Sequence, residues 1–306
     1  MSMLGTSKWL NCFQYCSKAF GVLGHLMVMM VLGLVLLSWY AVVFATYGPY
    51  LLSGSSLQAV GAGLVCCIFT ALLVLLCWCY LAAVATDPGK VPAGWHPFLD
   101  EHQARLELER MQFADYSFDR RDPRRPRWCK RCQCWKPERA HHCSVLGRCV
   151  LKMDHYCIWI VNCVGLLNYK FFLQFLLYTL VAALAAALLL LKPLIDFFSN
   201  RLNGPGAPFI FLAVVMDAAL AASVAGFLIM HTQLLAANCT TIEMYEKDRI
   251  HPWPYNRGLR RNVEDVFGRN KLRWFLPLLS KEEKRALVDS CLNARLLPTT
   301  LLSAIV

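Results

Sequence analysis

The sequence contains no evident internal repeat and no low-complexity tract, and it is poor in acidic residues. The absence of repeats excludes a repeat architecture, and the absence of low-complexity tracts excludes a chain that is disordered throughout. Asp and Glu number 20 against 31 Lys and Arg, while 57% of the 306 residues are hydrophobic. That apolar content is too high for an ordinary soluble domain and predicts a polytopic membrane protein.

Charge of either sign is nearly absent from four apolar stretches. At about 1.5 Å of rise per residue, each is long enough to cross a bilayer as a helix. The stretches cover residues 21–44, 60–84, 171–191 and 208–235. The N-terminus lacks the short apolar region and small-residue cleavage site of a signal peptide, so we expect the first stretch to be retained. Four spans put both termini on one side of the membrane.

Lys and Arg are also absent between the first two stretches, but they are abundant elsewhere. Fifteen lie from Lys90 to Lys170, and twelve lie from Lys247 onward. The positive-inside rule therefore places the middle segment and both tails in the cytosol. The predicted domains are a cytosolic N-terminus, a helix pair, a cytosolic loop, a second helix pair and a cytosolic tail, at residues 1–20, 21–85, 86–168, 169–236 and 237–306. Because the net charge of +11 flanks the spans, we expect it to face anionic lipid and not nucleic acid.

The middle loop is rich in cysteine. Disulfides are rare in the cytosol, so metal binding or catalysis must explain these thiols. The cysteines are Cys129, Cys132, Cys134, Cys143, Cys149, Cys157 and Cys163. Cys129-x-x-Cys132, followed by His141-His142-Cys143 and Cys149, supplies thiolates and imidazoles at spacings that fit a tetrahedral zinc site of the Cys₃His type. The pattern predicts a small domain, at about residues 128–168, that is ordered by metal instead of a large core. The alternative is a set of free cysteines in an unstructured loop.

A carboxylate, an imidazole and a thiol follow within four residues, at Asp154, His155 and Cys157. An imidazole that accepts the proton of a thiol, and is itself held by a carboxylate, raises the reactive thiolate fraction. The pattern predicts Cys157 as nucleophile, His155 as base and Asp154 as the residue that orients the base. Because Cys157 lies about a dozen residues before the third span, it should act close to the membrane surface.

The stretch from Cys129 to Phe172, CKRCQCWKPERAHHCSVLGRCVLKMDHYCIWIVNCVGLLNYKFF, resembles the cysteine-rich domain of the DHHC palmitoyltransferases. Three further motifs resemble family elements: Asp87-Pro88-Gly89 after the second span, Thr240-Thr241-Ile242-Glu243 after the fourth, and Asn262 with Val266-Phe267-Gly268 in the tail. The resemblance implies four transmembrane helices with a cytosolic zinc-binding domain between the second and third. It also implies a protein S-acyltransferase that forms a thioester on Cys157 and passes palmitoyl, or a related acyl group, to a protein cysteine.

The resemblance implies two zinc sites, of which this chain retains one set of ligands in full. The first set maps onto Cys129, Cys132, His142 and Cys149. The second would use Cys143 and Cys163 with a cysteine and a histidine, but this chain has Leu146 and Tyr156 at those two positions. Two thiolates alone make a poor structural zinc site. We therefore expect one firmly bound zinc and a vacant or replaced second site.

The implied co-substrate is acyl-CoA, and the implied partners are the bilayer and proteins with membrane-proximal cysteines. Burying each methylene is worth about 0.8 kcal/mol, so the acyl tail should lie among the spans. The CoA phosphates are expected to meet basic residues of the loop, namely Lys130, Arg131, Lys136 and Arg148. The family address favours the Golgi among possible membranes, which include the endoplasmic reticulum, vesicles and the plasma membrane. The oligomeric state stays open.

Three other functions compete with this one. The lost second site suggests a catalytically weak or silent zinc-binding membrane adaptor of the same fold. Asp217, inside the fourth stretch, suggests a transporter or channel, although a carboxylate there should face the bundle and be protonated or paired with a Ser or Thr hydroxyl. The cysteine spacing does not supply the eight ligands of a RING ubiquitin ligase.

Several local predictions complete the sequence interpretation. His25 and His231 are expected to be interfacial side chains near the ends of spans and not ligands. Residues 99–113 are predicted to form a short charged helix. Ser280 and Glu283 are predicted to form a capping box that begins a helix running to about Arg295.

Overall fold

A computed structural model describes residues 23–98, 102, 105, 106, 109, 127–199, 201, 204–247 and 252–293. Within these residues, four helices are long and apolar enough to cross a membrane: α1 (Leu23–Ser53), α2 (Ser56–Ala85), α3 (Tyr169–Leu189) and α5 (Ala207–Ala237). A short helix, α4 (Leu191–Phe198), lies between α3 and α5 in the sequence. The predicted fold class is confirmed. The helix predicted over residues 99–113 lies largely outside the described residues.

Helix α1 continues nine residues beyond its predicted end at residue 44. Glycine followed by proline often ends a helix, but Gly48-Pro49 begins the last turns of α1. Residues Tyr40–Tyr47 are π-helical, and Gly48–Ser53 return to α-helix with the proline in the first turn. Proline is tolerated there because the first helical N–H groups need no partner within the helix. The π-helical segment therefore carries the span past its predicted end.

Helix α3 is the centre of the bundle. Thirteen of its 21 residues are buried, including the large side chains Phe171, Phe172 and Leu176. The main hydrophobic core joins these residues to Leu73 and Tyr80 of α2. Most of the exposed side chains on the four long helices are apolar, as expected for surfaces that face lipid.

The cysteine-rich region folds as three antiparallel hairpins with the same register. Their strands are β1 (Arg127–Cys129) with β2 (Cys134–Lys136), β3 (His141–Cys143) with β4 (Arg148–Val150), and β5 (His155–Cys157) with β6 (Asn162–Val164). In each hairpin the last residue of the first strand is a cysteine: Cys129, Cys143 or Cys157. These cysteines are each 14 positions apart. The backbone of this segment therefore repeats three times, whereas no internal repeat was identified from the sequence.

Asparagine side chains fasten the third hairpin to the end of α2. Asn162 Nδ2 donates to the carbonyl oxygens of Val84 and Thr86, at 3.1 and 2.9 Å. Asn168 Nδ2 donates to the carbonyl of Cys163, at 2.8 Å, and to that of Ala83, at 3.3 Å. Helix α2 therefore fixes the height of the hairpin that carries Cys157.

The region after α5 wraps around the hairpin domain. Its helices are α6 (Thr241–Lys247), α7 (Leu259–Phe267) and α8 (Lys281–Leu292), with a 3₁₀-helix at Lys271–Phe275. The predicted capping box is confirmed, since Ser280 Oγ accepts from the Glu283 N–H and Glu283 Oε2 accepts from the Ser280 N–H. Val288, Cys291 and Leu292 of α8 pack against the cluster around Cys129 and Cys149.

Candidate active site and metal centre

The third hairpin holds the predicted nucleophile and base next to each other. Cys157 ends strand β5 and is only 7% exposed. His155 lies two residues earlier on the same face of the strand, and both side chains line one cavity. Its Nδ1 atom lies 2.6 Å from Asp154 Oδ2. The structure thus brings Asp154, His155 and Cys157 together, with a hydrogen bond between the first two.

Asp154 is buried and receives hydrogen bonds from outside its own hairpin. Thr241, the first residue of α6, donates to it twice: its N–H reaches Oδ1 at 2.9 Å and its hydroxyl reaches Oδ2 at 2.7 Å. Burial alone would raise the carboxyl pKa, but hydrogen bonds from His155 and Thr241 and the charge of His155 lower it overall. Asp154 therefore stays ionised and orients the imidazole through Nδ1.

The electrostatics of His155 favour its protonated form. Burial opposes the charge, but hydrogen bonds to Asp154 and Cys157, with the negative charge of both partners, raise the pKa of His155 to about 9. At neutral pH the imidazole is therefore cationic. An imidazolium beside a thiol stabilises the thiolate, which is the nucleophilic form of cysteine.

His231 of α5 also belongs to this site, although the sequence did not predict it. It is fully buried, and its ring centroid lies 5.9 Å from that of His155. Its Nδ1 atom lies 3.2 Å from the hydroxyl oxygen of Tyr169. The prediction of an interfacial side chain at 231 is wrong because the hairpin domain covers this end of α5. Its hydrogen-bond partner is 62 positions away, and the rings of His155 and Phe172 reach it from other elements, so local pattern does not signal its burial.

An apolar cavity of about 460 Å³ lies between the spans and reaches the nucleophile. Its lining includes Cys157 and His155 together with apolar side chains of α1, α2, α3 and α5, among them Leu34, Leu76, Phe175 and Val224. Its polar lining includes Ser38 Oγ, which lies 2.9 and 3.0 Å from the two carboxylate oxygens of Asp217. The expectation that Asp217 faces the bundle with a hydroxyl partner is confirmed.

The four residues predicted for the first zinc site converge. One ligand atom from each of Cys129, Cys132, His142 and Cys149 lies within 4.8 Å of the others. His142 Nδ1 is 3.1 Å from Cys132 Sγ and 3.6 Å from Cys129 Sγ, and the Sγ atoms of Cys132 and Cys149 are 3.8 Å apart. Tetrahedral zinc, with bonds of about 2.3 Å to sulfur and 2.0 Å to nitrogen, needs ligand atoms about 3.5 to 3.8 Å apart. The donor set fits zinc.

The implied second site, between the second and third hairpins, lacks a complete ligand set among the described residues. Cys143 and Cys163 are buried in the same hydrophobic cluster. Leu146 and Tyr156, which stand where the resemblance implies ligands, pack against these two cysteines with Met153. Hydrophobic packing occupies the position of the implied second metal, which supports the prediction of a replaced site.

The predicted CoA-binding cations have different surroundings. Lys130 is exposed, and Arg131 donates to Ser144 Oγ at 2.7 Å. Lys136 is half-buried at the end of β2. Arg148 forms an ion pair with Asp87 at 2.8 Å. Arg148 thus fastens β4 to the segment after α2, which makes it a weaker candidate for phosphate than Lys130 or Lys136.

The motif after α5 joins the hairpin domain to the bundle. Glu243 and Arg139 form a buried bidentate ion pair with two contacts of 2.6 Å. Arg139 also donates to the side chain and carbonyl of Asn238, which ends α5 in the left-handed conformation. Asn262 of α7 is buried and donates to the Ala236 carbonyl at 2.7 Å. These contacts place Thr241 where it reaches Asp154.

Four candidate membrane spans, a possible metal-binding cluster, and a thiol, an imidazole and a carboxylate at the end of an apolar cavity are the features of a membrane enzyme suited to acyl transfer. Comparison with known proteins agrees. The family model described as DHHC palmitoyltransferase matches residues 122–248. The chain is 44% identical to "Probable protein S-acyltransferase 14" of Arabidopsis thaliana over 94% of this chain and 95% of that protein. It is 32% identical to "Palmitoyltransferase ZDHHC2" of Mus musculus over 78% of this chain and 69% of that protein.

The chain belongs to the DHHC palmitoyltransferase family. It is a protein S-acyltransferase.

Proposed function

We propose that the chain transfers palmitoyl, or a related acyl group, from acyl-CoA to cysteines of membrane-associated proteins through a thioester on Cys157. The observation that carries this proposal is the series Asp154–His155–Cys157 at the apolar cavity. An acyl chain in the cavity would gain about 0.8 kcal/mol for each methylene removed from water. The cavity therefore supplies binding energy, and the third hairpin supplies the reacting atoms.

The first half-reaction begins with the Cys157 thiolate and the His155 imidazolium. The thiolate attacks the thioester carbon of acyl-CoA, and the bond from that carbon to the CoA sulfur breaks. The departing CoA thiolate takes the proton from His155, so the products are acyl-Cys157, CoA thiol and neutral imidazole. Asp154 keeps the ring oriented through Nδ1 while the opposite nitrogen loses its proton.

The second half-reaction restores the starting state. Neutral His155 takes the proton of the acceptor thiol, and the acceptor sulfur attacks the acyl carbon on Cys157. The bond to Cys157 breaks, and its thiolate re-forms beside the imidazolium. The sequence of steps is a ping-pong mechanism in which the same imidazole acts as an acid in the first half and as a base in the second.

Zinc would be held by Cys129, Cys132, His142 and Cys149. Bound there, it would supply cross-links that order the hairpins, since so small a domain gains much of its stability from metal. Lys130 and Lys136 are the proposed phosphate ligands. Charge reversal at either should raise the KM for palmitoyl-CoA, whereas Arg260→Glu on α7 should not. An unchanged KM would remove them from the binding site.

We further propose that the loop and both tails are cytosolic, and that the protein resides in an endomembrane, with the Golgi favoured by the family resemblance. The charge asymmetry across the spans supports the first statement. Microscopy of the tagged full chain with compartment markers tests the second.

The decisive experiment is autoacylation of the purified full chain with labelled palmitoyl-CoA. Wild type should acquire label that hydroxylamine removes, and Cys157→Ser should acquire none. The label should then move to an added protein with a membrane-proximal cysteine. A silent adaptor would acquire no label on Cys157 while retaining zinc, and that result would overturn the proposal.

A further inference from the structure

Residues 271–279, here called the hook, lie along one face of span α3. Three side chains of α3 donate to the backbone of the hook. Gln174 Nε2 donates to the carbonyls of Trp274 and Leu276 at 2.8 and 2.9 Å. The Tyr178 hydroxyl donates to the Phe275 carbonyl at 2.8 Å. The third donor is Lys170, whose Nζ lies 2.9 Å from the Leu278 carbonyl oxygen.

The three donors are spaced four residues apart, so they share one face of the helix. Tyr178 lies nine residues after the start of α3, or about 14 Å along its axis at 1.5 Å per residue. The hook therefore reaches beyond the end of a helix that crosses the membrane, to the level of its interior turns. Residues from Tyr169 to Leu176 are all buried, partly because the hook covers them.

A non-helical backbone at this depth must have its polar groups satisfied by protein, because lipid offers no hydrogen bonds. In the hook, the carbonyls of four residues each receive a donor from α3: Trp274, Phe275, Leu276 and Leu278. The indole N–H of Trp274 donates to the Gly268 carbonyl at 2.8 Å. Protein donors therefore satisfy these four backbone carbonyls, as is required of a segment that enters lipid.

The side chains of the hook have the opposite character. Leu272 is 83% exposed and Phe275 is 64% exposed, while Leu276 and Leu278 are also exposed. Lys271 and Arg273 accompany them at the surface. Apolar tips with basic neighbours are typical of segments that lie at the boundary between lipid tails and headgroups.

We propose that the hook is embedded in the cytosolic boundary of the bilayer, with Leu272 and Phe275 in contact with lipid acyl chains. The occupant of this apolar surface is lipid and not a protein partner. This argument uses the hydrogen bonds to α3, the depth of Tyr178 and the continuity of the hook with the lipid-facing surface of a span. It does not depend on the catalytic role of Cys157.

Photo-crosslinking in nanodiscs of phosphatidylcholine and phosphatidylserine tests the proposal with the full chain. A benzophenone amino acid replaces Leu272 or Phe275, with Leu188 (73% exposed on α3) as the lipid-facing control and Arg260 on α7 as the solvent control. We expect lipid adducts, identified by mass, at 272 and 275 in yields close to those at 188. Adducts no more frequent than at 260, or adducts to a second protein chain, would overturn the proposal.

A second variant tests the hydrogen bonds. Gln174→Leu removes the two hydrogen bonds that Gln174 Nε2 donates to the hook. Thr179→Val is a matched control because the buried Thr179 hydroxyl has no partner among the described residues. Amide hydrogen exchange across residues 271–279 should rise several-fold in Gln174→Leu and stay unchanged in Thr179→Val. Zinc content and elution volume check that both variants are folded. Unchanged exchange in Gln174→Leu would show that these bonds do not hold the hook and would overturn this part of the proposal.

Discussion

Thr241 and Asp154 are 87 positions apart, and both hydrogen-bond donors of Thr241 reach the carboxylate of Asp154, at 2.9 and 2.7 Å. Asp154 in turn holds the imidazole of His155. The carboxylate proposed to orient the base is therefore itself held by a residue that follows the fourth span in the sequence. Several consequences of this arrangement, and of the contacts around it, can be measured.

Thr241→Val removes the hydroxyl that reaches Asp154 Oδ2 while preserving shape. A hydrogen bond to a charged group contributes about 1.5–3 kcal/mol. The rate of Cys157 autoacylation should therefore fall roughly ten- to a hundredfold. Thr241→Ser keeps the hydroxyl and should stay within about threefold of wild type. Equal rates for Val and Ser would show that the hydroxyl does not act through Asp154.

The first half-reaction should slow at high pH. The pKa of His155 is raised to about 9, so the imidazolium is present below that pH and is lost as the pH rises through it. Since the imidazolium protonates the departing CoA, the autoacylation rate should decline above about pH 9. Asp154→Asn removes the charge that supports the imidazolium, so the decline should begin at lower pH. Single-turnover rates across a pH series measure both curves, and identical curves would contradict the assignment.

Metal content should distinguish the complete ligand set around Cys129 from the incomplete set around Cys143. Elemental analysis of the purified chain should find about one zinc per molecule, because the second position is filled by Leu146 and Tyr156. Cys149→Ser should lose that zinc and lower the thermal unfolding temperature. Cys143→Ala, the matched control, should retain it. Two zinc ions in wild type, or loss of zinc in Cys143→Ala, would contradict the expected single site.

The ion pair between Arg139 and Glu243 should matter for stability. Both side chains are buried, at 9% and 3% exposure. Removing one partner of a buried pair leaves an uncompensated charge and costs about 3–5 kcal/mol. Glu243→Gln should therefore unfold at a markedly lower temperature in detergent. Arg139→Met combined with Glu243→Leu should recover part of the loss. If the double variant is as unstable as the sum of the singles, the cost is not one of unpaired charge.

Gly24 near the start of α1 should be sensitive to any side chain. A Cβ at Gly24 would overlap Val161 Cγ1, in the turn that follows Cys157. Gly24→Ala should push that turn away and slow autoacylation several-fold. Gly24→Ala with Val161→Ala makes room and should restore most of the rate. Failure of the second substitution to rescue the first would place the effect elsewhere.

The sequence was sufficient to predict the elements whose signals are local. The hydrophobic runs located four spans, and Ser280 with Glu283 correctly marked the start of a helix. The predicted stretch ended at residue 44, whereas the helix continues to Ser53 through a π-helical segment that the hydrophobic pattern does not indicate. Local pattern therefore fails where a rare backbone geometry intervenes.

The chemistry was partly predictable for the same reason. Asp154, His155 and Cys157 are close in sequence, so one strand presents them together. The motif after the fourth span was noticed only by family resemblance, and its contact with Asp154 could not be derived from spacing. His231 was assigned wrongly because its burial depends on the hairpin domain, which is separated from it in the sequence by α3, α4 and most of α5. Long-range packing carries no signal in a single sequence.

The dependence of Asp154 on Thr241 has a consequence for biosynthesis. During synthesis the third hairpin emerges well before the fourth span, so for a time Cys157 and His155 exist without the segment that completes them. A chain interrupted at that stage would have Cys157 and His155, but Asp154 would lack its two hydrogen bonds from Thr241. We therefore expect acylation activity to rise only when the segment after the fourth span has docked and Thr241 has reached Asp154.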